Sequence, residues 1–178
     1  EDATPAAQAR GRELIEHSAE HGFPQGCGHL GYLRARELPL EADLLEELAF
    51  PLLRLGAIRG DHDAARYLAR SLRSLGGPER IGEALYWLHG ASRWDAAAAR
   101  MLAEYHGIGL GVPPSATTAT AWLALAVIGG DPGAAEILAR AFLEERGVPL
   151  DPVAAMHLAE RAAAAGVGRG AMVLGRIY

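Results

Sequence analysis

His17 and His21 stand four residues apart, one helical turn, and two imidazoles at that spacing can share a metal ion. No cysteine or further close ligand accompanies them, so an exposed or helix-capping role is the simpler reading and no metal is expected. Cys27 is the sole cysteine. Set between two glycines it could be a reactive thiol, but burial at a helix start accounts for it equally well. His89, His106 and His157 fall in packing columns and read as core-edge residues, not bases. The chain has no G-x-S-x-G, no H-E-x-x-H and no phosphate-binding glycine loop, so no catalytic residue and no cofactor is expected. What remains is arginine, which supplies all 17 basic residues. Its planar fork of donors pairs with carboxylates and stacks on aromatic rings, which suits recognition of another protein.

The elements that carry these residues are helices. In residues 134–168, Ala134, Leu138, Ala141 and Phe142 line one helical face, and Arg146, Gly147, Val148 and Pro149 end that helix. Asp151 and Pro152 then open a second helix, the carboxylate as cap and the proline at the first helical position. Ala154, Leu158, Ala162 and Ala165 form its apolar stripe, and Gly166 stops it. The pattern recurs. Leu68, Leu102, Leu138 and Leu174 anchor similar local sequences at separations of 34, 36 and 36, while Trp87, Trp122 and His157 share a column at separations of 35 and 35, each followed by Leu. Two registers of nearly equal period mark a helical repeat array, in which each two-helix unit needs neighbours to bury its apolar faces.

The spacing predicts one domain over 1–178: a capping helix at 6–24, a divergent repeat at 25–60, repeats at 61–95, 96–132 and 133–168, and a terminal helix at 169–178. In the capping helix Leu14, Ile15, Ser18 and Ala19 are expected on the packed face. Pro51, inside the apolar run 41–58, should kink or split that helix. The glycines of GIGLGVP, before Pro114, are explained as helix termination, and Trp87 and Trp122 as packing between helices. Half of the residues are hydrophobic but only 6% aromatic, in keeping with closely packed, alanine-rich helices. A net charge of −5 argues against nucleic acid as a partner, and no apolar run approaches the length of a membrane span. The polar opening run EDATPAAQ resembles a mature N-terminus after signal-peptide removal, which leads to an expected periplasmic location, with the cytoplasm as alternative.

The motif ALGxLYxxGxGVxxD followed by AxxWLxxAAxxG is the signature of Sel1-like repeats, relatives of tetratricopeptide repeats, and the chain resembles that family over nearly its whole length. GVPLD at 147–151, GVPPS at 111–115, AWLALA at 121–126 and Leu174-Gly175 ahead of Tyr178 match best. The small residue after the anchor is Ala69, Ala103 or Ala139 in the middle repeats, and Leu72, His106 and Phe142 replace the usual tyrosine. The lone Cys27 excludes the cysteine-rich secreted subgroup. The resemblance implies an all-α, right-handed solenoid of antiparallel helix pairs whose first helices line a concave groove.

On that fold, residues two before and two after each anchor leucine should face the groove. The expected partner-binding residues are Tyr32, Arg36, Arg66, Arg70, Arg73, Arg100, Glu104, Glu136, Arg140 and Arg176, with Gly28 and Met172 at equivalent positions. The alternative for these side chains is a solvated face with ion pairs between repeats, such as Arg100 with Glu136 or Glu104 with Arg140. The resemblance further implies a non-catalytic scaffold or adaptor that binds another protein. Its most concrete form is a periplasmic immunity protein that neutralises a secreted toxin such as a type VI lipase effector. An envelope scaffold in polysaccharide export or cell-wall regulation is the alternative, and a weak hydrolase the rival of another class.

Overall fold

A computed structural model describes residues 4–177, which form eleven α-helices and no strand among the described residues. The N-terminal residues 1–3 and Tyr178, part of the repeat signature above, lie outside them. The chain divides into two compact units, 1–90 and 91–178.

The first unit holds α1 (Pro5–Glu20), α2 (Pro24–Glu37), α3 (Ala42–Leu48), α4 (Phe50–Ile58), α5 (His62–Leu75) and α6 (Pro78–Ala91, its last residue past the unit boundary). Thr4 caps α1, its hydroxyl accepting from the Ala7 amide, yet α1 buries none of its residues. Leu14, expected on the packed face, is 56% exposed, whereas Ile15, Ser18 and Ala19 are half-buried. Helix α2 packs on α4 and α5 through Gly28 and Gly31. A Cβ on Gly28 would lie 1.9 Å from Asp61 Oδ2, so only glycine lets these elements meet. The run at 41–58 breaks at Ala49, and Pro51 sits in the first turn of α4, where its missing amide costs nothing. Phe50 and Leu53, both fully buried, hold the second piece in the core.

The second unit holds α7 (Ala96–Ile108), α8 (Ala116–Ile128), α9 (Pro132–Leu143), α10 (Pro152–Ala164) and α11 (Gly168–Ile177), each packed on the next. Alanines 99, 103, 126, 134, 135 and 162 dominate its larger core cluster around Leu123 and Leu138, so the helices approach closely. Trp122 packs on this cluster half-buried. The anchors Leu68, Leu102 and Leu138 are buried in their own helices. In α11 it is Val173, 2% exposed, that fills the core position, with Leu174 beside it.

The turns repeat as the helices do. Within a pair, the Ser115 amide donates to the His106 carbonyl at 2.8 Å and the Asp151 amide to Phe142 at 3.2 Å, each nine residues back, and Gly109 and Gly147 supply left-handed turns. Between pairs, the amides of Asp61, Asp131 and Val167 donate to carbonyls five residues back, each after a left-handed glycine. Asp61, Asp95 and Asp131 cap α5, α7 and α9, while Ser115 and Asp151 cap α8 and α10. Each cap satisfies a backbone donor and contributes on the order of 1 kcal/mol.

Candidate functional site

In the first unit the groove candidates lie on α2 and α5. Burial of Leu30, Leu68, Ala69 and Leu72 fixes the core side of these helices, which leaves Tyr32, Arg36, Arg66, Arg70 and Arg73 half-buried or exposed. The rings of Tyr32 and Tyr67 stack with centroids 4.1 Å apart. The Arg36 guanidinium lies 5.6 Å from the Tyr32 ring and that of Arg66 4.9 Å from the Tyr67 ring, giving an arginine–tyrosine–tyrosine–arginine cluster. Arg66 also pairs with the exposed Asp63. Tyr67 had no place in the rule of two residues either side of an anchor. Its aromatic type beside the anchor Leu68 is the one sequence signal that points to it, and the stacking on Tyr32 emerges only in the fold.

A second network in this unit joins α3, α4 and α6. Arg54 Nε donates to Glu83 Oε1 at 2.7 Å, with Glu46 at 3.2 Å on its other side, and Trp87 Nε1 donates to the same Glu83 oxygen at 3.0 Å. The bond from Arg54 holds the Glu83 carboxyl below its ordinary range, against the opposing effect of partial burial. Trp87 is thereby tied into the scaffold. Cys27 is buried, its Sγ 3.7 Å from the Ala19 carbonyl. The His17 and His21 rings touch at 4.2 Å, and the His21 ring nitrogen meets the His17 carbonyl at 2.8 Å.

In the second unit the ion pairs differ from those expected. Arg100 Nε bridges both oxygens of Asp131 at 3.0 Å and its Nη1 lies 3.6 Å from Glu104. It does not reach Glu136, because Asp131 is the nearer carboxylate, fixed at the start of α9 by its capping bond. Glu136 is 4% exposed and lies 2.9 Å from Arg140 on its own helix, so Arg140 is not drawn to Glu104. Neither Glu136 Oε1 nor Arg140 Nε makes an aligned hydrogen bond, so this contact is Coulombic. His89 and His157 are exposed, not at a core edge; the His157 ring faces Glu160 at 3.6 Å, while His106 is half-buried.

Glu136, Arg140, Arg169, Met172, Val173 and Arg176 line an open cleft of about 200 Å³ between α9 and α11. It brings together three of the expected residues, Glu136, Arg140 and Arg176, and adds Arg169. That arginine lies seven residues before Arg176, two turns along the same face of α11, a spacing that would have revealed it. Arg176 also pairs with Glu144 at 3.2 Å, and this hydrogen bond keeps the Glu144 carboxyl below its ordinary range. No helix among the described residues is long and apolar enough to cross a membrane, and no group of three metal-ligating side chains occurs among them.

A family model described as the Sel1 repeat matches residues 96–131 and 132–167. Among solved structures, the chain is similar to a Sel1 repeat protein from Oxalobacter formigenes, at 23% identity and a TM-score of 0.83 over 95% of this chain and 69% of that one. It is also similar to a protective antigen of uropathogenic Escherichia coli strains with an SLR fold, at 22% identity and a TM-score of 0.80 over 93% of this chain. The chain spans 36% of that antigen's length. No curated protein sequence matches. The chain thus shares the all-helical fold of Sel1-repeat solenoids.

Proposed function

For a chain that carries two Sel1 repeats, at 96–131 and 132–167, we propose a non-catalytic role in which the exposed faces of the first helices dock a partner protein. One observation supports this most. Above buried alanine and leucine faces, α2 and α5 hold the stacked Tyr32 and Tyr67 between Arg36 and Arg66 at the surface. Aromatic and guanidinium groups held together in this way lose little conformational freedom when covered, and both types are enriched where proteins bind most strongly.

The most specific form of the reading is a bacterial periplasmic immunity protein that neutralises a secreted toxin such as a type VI lipase effector. The alternative is an envelope scaffold in polysaccharide export or cell-wall regulation. An upstream toxin reading frame distinguishes the first from the second, for which neighbouring polymer-synthesis genes are expected.

Reversing charge at Arg36, Arg66 and Arg70 together tests the docking face. Affinity for a partner isolated from the native envelope should fall at least about tenfold, or 1.4 kcal/mol. Helicity by circular dichroism should be retained. Unchanged affinity would sink the proposal. Arg100 is left out of the variant because it contacts the Asp131 cap, and its loss would disturb folding as well as binding.

A further inference from the structure

We infer that the cleft between α9 and α11 receives the side-chain carboxylate of an acidic residue on the partner, an assignment that rests on the binding-module reading above. The argument begins with charge. Three guanidinium groups and one carboxylate line the cleft. Glu136 is buried and committed to Arg140 at 2.9 Å. Arg176 shares Glu144, which is not a lining residue, and Arg169 has no ionic or hydrogen-bond partner among the described residues. The cleft therefore carries uncompensated positive charge that attracts an anion, screened by salt as at any open surface.

The rest of the lining narrows the anion. Guanidinium forks pair bidentately with carboxylates. Met172, 71% exposed, and Val173 form an apolar wall beside the cations, and the unbranched thioether adapts to an aliphatic chain. A glutamate side chain matches both parts, its methylenes against Met172 and its carboxylate at Arg169 and Arg176. Inorganic phosphate would use the cations and leave the apolar wall without a counterpart.

The test is a titration of the full chain with an end-blocked five-residue peptide carrying a single central glutamate, read from the methionine methyl resonances. The Met172 methyl should shift and saturate while those of Met101 and Met156 stay in place. The glutamine analogue and the Arg169→Ser variant should each bind at least about tenfold more weakly, and raising salt from about 0.05 to 0.5 M should weaken the glutamate peptide. Arg169 is exposed and outside the ion pairs of the fold, so the variant should keep its melting temperature. Equal binding of the glutamine peptide, full binding by Arg169→Ser, or phosphate shifting Met172 as strongly as the peptide would overturn the assignment. If the glutamate peptide fails while the protein partner still binds, the cleft assignment falls and the binding-module reading stands. A Met172 response in a chain that binds no protein partner would keep the carboxylate site and remove that reading.

Discussion

Among the described glycines, Gly147 is the one where an added Cβ would come nearest to another stretch of backbone. A Cβ there would lie 2.3 Å from the Ala116 carbonyl carbon and oxygen, and its φ of 74° is one that side chains rarely adopt. Gly147→Ala should therefore cost roughly 2–4 kcal/mol, measured by denaturant unfolding, as strain and a backbone clash add. Gly82, within α6 and with open space around it, should behave oppositely. Gly82→Ala should stabilise by about 0.5–1 kcal/mol, because alanine is the better helix former. Such contrasts are legible in sequence only in part. Gly147 announces itself in the GVPLD turn, but the proximity of Ala116 depends on how α8 meets the loop. The same holds for Arg100. Its position two before an anchor was readable, but its partner was misjudged because a capping aspartate 31 residues away lies nearer than the glutamate on the neighbouring face.

At the scale of elements, caps and cross-helix ion pairs decide how firmly each helix is set. Asp131 accepts from the Ala134 amide at 2.7 Å and holds Arg100. Asp131→Ala should cost about 1–2 kcal/mol, seen as a lower midpoint of chemical unfolding. The Arg54–Glu83 pair gives a dependence on pH. Its bound carboxyl has a folded-state pKa below the unfolded value near 4.3, so the stabilisation is fully present above that value and is lost as pH falls through the folded one. The melting temperature of Glu83→Gln should thus trail the parent most near neutral pH, with the gap closing under acid. A gap that is constant with pH would show that the charge of Glu83 is not what matters. Helix positions were legible because apolar period, glycine stops and aspartate starts recur together. The Trp87, Trp122 and His157 column was legible as spacing but not as environment. Trp87 and Trp122 are half-buried, whereas His157 is exposed, because a period fixes a face and not the depth at which the neighbouring helix covers it.

At the scale of the whole molecule, alanine-rich helix pairs build two compact units, each with its own polar first-helix surfaces. The repeat period made that architecture readable, since no unit with one apolar face per helix can fold without neighbours. Function was less readable. Arginines alike in the sequence separate into those that brace the scaffold, such as Arg54 and Arg100, and those that stay at the surface, such as Arg36, Arg70 and Arg169. The central claim is that the surface set binds a partner protein. Calorimetric titration of the isolated partner protein into the full chain, with and without the combined Arg36→Glu, Arg66→Glu and Arg70→Glu substitutions, tests it most directly. The account predicts affinity at least about tenfold lower in the substituted chain at equal helicity. Equal affinities would contradict it.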